Sequence, residues 1–259
     1  MPLPFVYPLR QLIAAASEFG ISLDERQQAC FKFHFEFLES QARLYNLTGA
    51  RGWHQVRDEL YIRSLGFLSY SRLLRAKDAP MSAIDIGSGA GIPGLVLKIL
   101  LPKLNLTLMD SSLKKSEFLA SARDILGLTD LRVIQGRAEE AAHDPNLRAR
   151  FDIVLARGLA KLPELAELTL PFTALGGATL ALKSHDLRDE LASSSCAETL
   201  LGAAKAEVIK VPDAIGRWGD QLVVWEKVKP TPERYPRRPG TPHRKPLESS
   251  VSRPARPLT

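Results

Sequence analysis

The sequence predicts an α/β protein: a Rossmann-like seven-stranded sheet, mostly parallel with one antiparallel strand, preceded by an N-terminal helical segment. Three observations carry this reading. After Pro80, short apolar segments alternate with helix-length ones, the pace of βαβ units on a sheet covered on both faces. The last two apolar segments are joined only by Pro212–Gln221, which holds Gly216 and Gly219. A crossover helix does not fit there, so the pair reads as a hairpin with one strand antiparallel. Ahead of Pro80 the apolar period is helical instead. At 259 residues, 45% hydrophobic and 25% charged, the chain has a globular composition and room for one domain with an added subdomain.

Residues 1–80 form the helical segment, expected to pack on the core. From Asp24, an N-cap type, Phe31, Phe35, Leu38, Ala42 and Tyr45 recur at alternating spacings of four and three and make a core-facing stripe. Phe33 and Phe37 fall off that stripe and are expected to meet another element. Turn formers in Tyr45-Asn46-Leu47-Thr48-Gly49 end the helix, and a further amphipathic run covers Glu59–Leu74. Residues 81–228 form the sheet domain. Its strands are predicted at Ala83–Ile86, Leu106–Met109, Leu131–Ile134, Phe151–Leu155, Ala178–Leu182, Val208–Val211 and Leu222–Trp225. Between the second and third, Ser112–Leu126 reads as a helix, with Leu113, Phe118, Leu119, Ala122, Ile125 and Leu126 on one face.

Residues 229–259 differ in kind. They hold eight Lys and Arg against Glu233 and Glu248, so the whole formal charge of +6 lies here, with eight of the 18 prolines. Such a segment buries too little apolar surface to offset its ordering entropy and is by itself expected to be mobile. Its charge suits a polyanionic partner; the plain alternative is a solubilising end. Two cysteines, Cys30 and Cys196, exclude a disulfide framework, and five scattered histidines lack metal-ligand spacing, so no metal is expected. No apolar run reaches the roughly 18 residues of a membrane span, and MPLPFVYPLR lacks a basic region ahead of an apolar core. A cytoplasmic protein with no membrane partner is the expectation.

The most informative stretch is Ile84-Asp85-Ile86-Gly87-Ser88-Gly89-Ala90-Gly91-Ile92-Pro93-Gly94, where the first strand ends and a helix begins. Glycines there permit a tight turn and close approach of backbone to a nucleotide-like cofactor. Gly89, Gly91 and Gly94 fit G-x-G-x-x-G, and Asp110 ends the next strand as a ribose-binding acid would, so spacing alone leaves an NAD-dependent oxidoreductase open. Charge points the other way. A carboxylate at Asp85, near the glycines, opposes a pyrophosphate but suits the ammonium and sulfonium of S-adenosylmethionine.

The motifs together resemble a known family. Tyr45-Asn46-Leu47-Thr48, the Asp85–Gly94 loop, Asp110-Ser111 with Lys114-Lys115-Ser116-Glu117-Phe118-Leu119, Gly136-Arg137-Ala138-Glu139 and Phe151-Asp152 with Ala156-Arg157-Gly158-Leu159-Ala160 stand in the order found in the bacterial small-subunit ribosomal RNA methyltransferase G family, also called glucose-inhibited division protein B. Tyr235-Pro236-Arg237-Arg238-Pro239-Gly240-Thr241-Pro242 through Leu247 looks like that family's C-terminal signature. The resemblance implies a methyltransferase sheet, S-adenosylmethionine as cofactor, and methylation at N7 of a guanine in the 530 loop of 16S rRNA, the guanine 527 equivalent. It also implies cofactor contacts at Gly87, at Ile92 (where Leu or Phe is usual), at Ala138 and Glu139, and at Arg157. Gly89 and Asp110 join them from the loop and ribose arguments. Arg63, Lys183, Arg237, Arg238, Arg244 and Lys245 are candidate contacts to RNA phosphates. The partner is then 16S rRNA or the small ribosomal subunit, and the chain is expected to act as a monomer.

The sequence departs from the family pattern in places. Ser64 stands where His often follows the equivalent of Arg63, Ser184 follows Lys183 where Gly is common, and Asp220-Gln221 replaces a more basic pair. Residues 248–259 extend past the usual end and are expected to be disordered. Guanine N7 carries a lone pair and no proton, so its methylation calls for no general base, and no catalytic residue is assigned. A non-catalytic rRNA-binding assembly factor on the same fold is the alternative from a different class.

Overall fold

The computed structural model describes residues 8–45, 47–184, 186–216 and 219–248, and for 42–45 the backbone alone. The expectations for Asn46, for the side chains of Ala42 and Tyr45, and for residues past Glu248 therefore lie outside the described residues.

Two helices open the chain, α1 (Arg10–Ser17) and α2 (Glu25–Tyr45). Asp24 caps α2 as its side-chain type suggests: its Oδ1 accepts the Gln27 N–H at 2.7 Å, and Gln27 Oε1 accepts the Asp24 N–H at 2.9 Å. Phe31, Phe35 and Leu38 are buried in the core. Phe37 leaves the stripe to stack on Phe118, ring centroids 5.0 Å apart, whereas Phe33 stays 52% exposed. The run over Glu59–Leu74 is not one α-helix. A short α3 (Gly52–Gln55) continues into a π-helix, Val56–Ile62, and then into 3₁₀ turns at Leu65–Ser69 and Ser71–Lys77. The tighter turns bring backbone against the sheet: a Cβ on Gly66 would lie 3.1 Å from Leu182 and 3.3 Å from Val211.

The sheet follows as β1 (Met81–Ile86), α4 (Gly94–Leu100), β2 (Leu104–Asp110), α5 (Leu113–Ile125), β3 (Arg132–Gln135), α6 (Ala138–Ala141), β4 (Phe151–Arg157), α7 (Leu162–Thr169), β5 (Thr173–Lys183), α8 (Arg188–Leu201), β6 (Glu207–Lys210) and β7 (Gln221–Glu226). All seven expected strands are present, in the order β3-β2-β1-β4-β5-β7-β6, and β7 runs antiparallel to both neighbours as its short connection requires. Strand alternation divides the core. Ala83, Leu106, Leu108, Ile153 and Leu155 face the N-terminal helices, while Ile84, Ile86, Met109 and Val154 face the other layer. Between β1 and β4 the strand order reverses, which opens a crevice at the strands' C-terminal ends. No helix among the described residues is long and apolar enough to cross a membrane.

The basic C-terminal segment is packed as far as Glu248, against the expectation of mobility. Tyr235 is buried in the cluster around Trp225, and α9 (Thr241–Arg244) follows. The physical reason is polar: the body supplies donors for the segment's carbonyls and an acid for one of its cations. The Arg148 guanidinium donates to the carbonyls of Thr231 (2.9 Å), Pro232 (3.1 Å) and Tyr235 (2.9 Å). The buried Lys227 ammonium donates to Thr231 Oγ1, and burial brings its pKa down to about 7. Arg237 forms a two-pronged ion pair with Glu167, 2.9 and 2.6 Å, and its backbone N–H adds a third bond to the same carboxylate.

Because the Glu167 side chain is fully buried, removing its partner strands a charge in the interior. Arg237→Ala should cost about 3 kcal/mol of folding stability at neutral pH, read from chemical denaturation. A loss within experimental error of zero would show that the pair contributes nothing net.

Candidate active site

The glycine loop connects β1 to α4, and its glycines do different work. Gly87, Gly89 and Gly91 adopt left-handed backbone, φ +74°, +55° and +79°. Gly91 and Gly94 are packed inward: a Cβ would lie 2.3 Å from Leu95 Cδ1 and 2.5 Å from Leu108 Cδ2, respectively. Gly89 alone of the four faces open space, its nearest neighbour to a Cβ being the Gly87 carbonyl at 3.9 Å. Gly87 is roofed by Leu159, whose Cδ1 would be 2.8 Å from a Cβ there. The loop is registered on β2 because the Gly87 and Ser88 N–H groups both donate to the Met109 carbonyl, at 2.9 and 3.0 Å.

Asp85 is placed otherwise than the charge argument assumed. It is 1% exposed and does not line the cavity; its Oδ2 accepts the Gly94 N–H at 2.9 Å inside the loop. Burial raises its pKa to about 7, with Asp110 adding to the rise and the Gly94 hydrogen bond opposing it. It is bonded within the loop and lies outside the cavity's lining.

The crevice holds a cavity of about 310 Å³. Gly87, Asp110, Ala138, Glu139, Leu159 and Gly240 line it over an apolar floor of Ile86, Met109 and Leu168. Asp110 Oδ2 accepts the Gly89 N–H at 3.0 Å and Oδ1 the Ser112 N–H at 2.9 Å, so the acid that ends β2 is fixed by the loop it faces. Ala138 and Glu139 open α6, and Glu139 Oε1 accepts the Gly240 N–H at 2.9 Å. Gly87, Asp110, Ala138 and Glu139 are thus brought together, with Gly89 at the rim. Ile92 is not part of that lining: it is 9% exposed and belongs to the cluster under the N-terminal helices. Sequence reasoning missed Leu159, Glu164, Gly240 and His243 in the lining; only the C-terminal signature hinted at the last two.

Arg157 stands apart, in a second pocket of about 240 Å³ with Arg63, Lys183, Gly158 and Ala160. Its guanidinium donates to the Glu59 and Leu60 carbonyls and to Ser64 Oγ. Burial, with Arg63 nearby, lowers its pKa to about 10, which leaves it charged at neutral pH. Arg63 is held by Asp220 through bonds of 2.8 and 2.7 Å, and Lys183 by Glu190 at 2.8 Å. The two departures at Ser64 and Asp220 therefore act here as acceptors for Arg157 and Arg63. Of the remaining candidate cations, Arg237 is committed to Glu167, while Arg238, Arg244 and Lys245 are exposed. No group of three or more His, Cys, Asp or Glu among the described residues is arranged to hold a metal ion.

An acid whose folded pKa lies above its unfolded value costs stability as pH rises through that interval. For Asp85 the interval runs from 3.8 to about 7. Asp85→Asn keeps an acceptor for Gly94 and removes the titration, so its stability relative to wild type should grow between pH 4 and pH 8, by at most about 4 kcal/mol. Urea unfolding of both proteins across that range tests this; parallel curves would mean that Asp85 titrates normally.

Comparison with known proteins now adds the family. A profile described as rRNA small subunit methyltransferase G matches residues 27–215. Proteins named ribosomal RNA small subunit methyltransferase G are similar over nearly their whole length. That of Lactococcus lactis subsp. cremoris is 35% identical over 92% of this chain and 98% of its own, and that of Dehalococcoides mccartyi 36% over 92% and 100%. That of Streptococcus thermophilus is 37% identical over 90% and 97%. Among solved structures, a mutant of MtNAS in complex with S-adenosylmethionine superposes with a TM-score of 0.52 at 17% identity, over 84% of this chain and 76% of that one. A predicted O-methyltransferase from Agrobacterium tumefaciens gives 0.51 at 17%, over 66% and 82%. These two likenesses concern the fold. Sequence identity across the full length, with the glycine loop and the crevice in place, makes this chain a member of the rRNA small subunit methyltransferase G family.

Proposed function

We propose that the protein uses S-adenosylmethionine to methylate N7 of a guanine in the 530 loop of 16S rRNA. The observation that carries the reading is the cavity at the switch point, whose lining sets three carboxylates, Asp110, Glu139 and Glu164, against one arginine, Arg137. Two phosphates of a dinucleotide would meet three carboxylates there, whereas a ligand with an adenosine and a net positive amino-acid end would not. The open face of Gly89 gives the ligand room, and the volume lies within the range of small-molecule sites. S-adenosylmethionine, when bound, supplies an electrophilic sulfonium methyl. Asp110 and the Gly87–Gly89 backbone hold it on one side, Ala138 and Glu139 on the other.

The chain's part in the chemistry is to orient and to exclude water. Guanine N7 has no proton to lose, so no side chain need act as a base, and orientation alone contributes at most about 7–11 kcal/mol to lowering a barrier. The strand-end segment Arg157–Ala160 separates the two openings. Leu159 walls the cavity, and Gly158 and Ala160 line the basic pocket. A phosphate of the target strand in that pocket would meet Arg63, Arg157 and Lys183 while its base lies towards Leu159. N7 in an A-form duplex lies in a groove side chains reach poorly, which favours a loop nucleotide.

Small subunits lacking the modification, incubated with the protein and methyl-labelled S-adenosylmethionine, should gain label at N7 of a 530-loop guanine, and Gly89→Val should gain none. Label at another position, or no transfer by wild type, would overturn the reading. Arg238, Arg244 and Lys245 add a salt-dependent part of RNA affinity to that of the basic pocket. Their joint replacement by Ala should reduce the slope of log affinity against log salt by about 2, at about 0.7 per phosphate contact, in filter-binding titrations. An unchanged slope would assign these cations to solubility alone.

A further inference from the structure

We propose that the C-terminal segment Tyr235–Arg244 is a wall of the cofactor cavity, and that the Gly240 N–H is a positioning group which sets the Glu139 carboxylate for the ligand. The inference rests on the S-adenosylmethionine reading and adds to it a component outside the sheet domain. The sheet builds the cavity on its glycine-loop, β2 and α6 sides, and Leu159 and α7 close another. Gly240 and His243 complete the lining from a segment more than a hundred residues on from Glu139 in sequence.

The segment is held there by contacts made away from the cavity. Arg237 sits on the buried Glu167, Arg148 donates to the Tyr235 carbonyl at 2.9 Å, and His143 Nε2 lies 2.9 Å from the Pro236 carbonyl oxygen. These bonds place the strap without help from a ligand. Two contacts then reach the lining itself. His243 Nδ1 lies 3.2 Å from Glu164 Oε2, and the Gly240 N–H donates to Glu139 Oε1 at 2.9 Å. Gly240 has a left-handed φ of +75°, and that conformation turns its N–H to Glu139. With Oε1 engaged, Glu139 is fixed in one orientation and keeps Oε2 for a donor on the ligand. A carboxylate free to rotate would have to be ordered on binding, at a cost in affinity.

The test is calorimetric titration of S-adenosylmethionine into the full chain, into Gly240→Pro and into Gly240→Ala. Proline removes the N–H and cannot take the left-handed φ, so affinity should fall at least about tenfold, the scale of a lost hydrogen bond to a charged acceptor. Alanine keeps the N–H and strains only the backbone, so it should fall between the two. Equal affinity in wild type and Gly240→Pro would overturn the strap while leaving the cofactor reading intact. Failure of wild type to bind would overturn the cofactor reading itself. Hydrogen exchange on the unaltered chain covers the case in which a variant does not fold. Saturating S-adenosylmethionine should slow exchange of amides within 235–244, and exchange that does not change would overturn the proposal.

Discussion

A buried carboxylate governs the geometry of this site. Asp85 is out of water, with one oxygen tied to the Gly94 N–H and the other without a hydrogen-bond partner among the described residues. Burying it carries a cost, visible in the raised pKa, and the return is a closed loop. With Gly94 drawn against Asp85 and Leu108, no side chain fits at that position, and α4 must start there. The loop ahead of it is then short enough for Gly87 and Ser88 to share the Met109 carbonyl, which brings the Gly89 N–H to Asp110. Each bond depends on the one before. The Gly89 N–H and the acid that lines the cavity are thus tied to a residue outside its lining.

The elements outside the sheet add polar contacts to their apolar packing, and these reach the site. His34 on α2 is fully buried, its Nδ1 2.8 Å from the Tyr61 hydroxyl and its Nε2 3.3 Å from the Ala90 carbonyl. Burial lowers its pKa to about 4, so the imidazole is neutral at physiological pH, with Nε2–H donating to Ala90 and Nδ1 accepting from Tyr61. The N-terminal helices thereby grip the glycine loop from behind. At the other end of the chain, Arg148, Lys227 and Glu167 do the same for a proline-rich segment that has little apolar surface to bury. Prolines supply no N–H donor, so carbonyls of this segment take theirs from the Arg148 guanidinium, while Lys227 donates to the Thr231 hydroxyl.

What was legible in the sequence is what period and local chemistry encode. The seven strands show as short apolar runs, the hairpin as a connection too short for a helix, and the Asp24 cap as a side-chain type before an apolar stripe. The glycine loop and Asp110 are legible because their roles are set within a few residues or one βα unit. Contacts between distant segments are not. Arg237 and Arg238 are the same residue type side by side, yet one meets Glu167, which is seventy positions away, and the other faces solvent. Composition reads both as free cations and reads the whole segment as mobile, since nothing in it shows Arg148 or Glu167 waiting. Phe33 and Phe37 are alike in the same way: Phe37 stacks on Phe118 of α5, and Phe33 is half exposed. Arg157 and Ile92, placed by resemblance among the cofactor contacts, lie in the adjoining pocket and under the helices: the strand-end Arg157 turns to the other side of its loop, and the apolar Ile92 packs into the core cluster.

That choice of side sorts charge across the sheet's end. On one side of Arg157–Ala160 the cavity carries Asp110, Glu139 and Glu164; on the other, Arg63, Arg157 and Lys183 converge. The cations are not neutralised alike. Arg63 and Lys183 each have a carboxylate in contact, whereas Arg157 is bonded only to carbonyls and a hydroxyl, which orient a guanidinium without cancelling its charge. Asp220 and Glu190 contact Arg63 and Lys183, Asp85 and Glu59 also act on Arg157, and the exposed Arg238, Arg244 and Lys245 add positive charge from the C-terminal segment. On the proposed function, long-range attraction draws the RNA polyanion to the side where the cations stand, while a cationic cofactor suits the side of Asp110, Glu139 and Glu164. The segment that divides the two is four residues long, with Leu159 on the cavity side and Gly158 and Ala160 on the other.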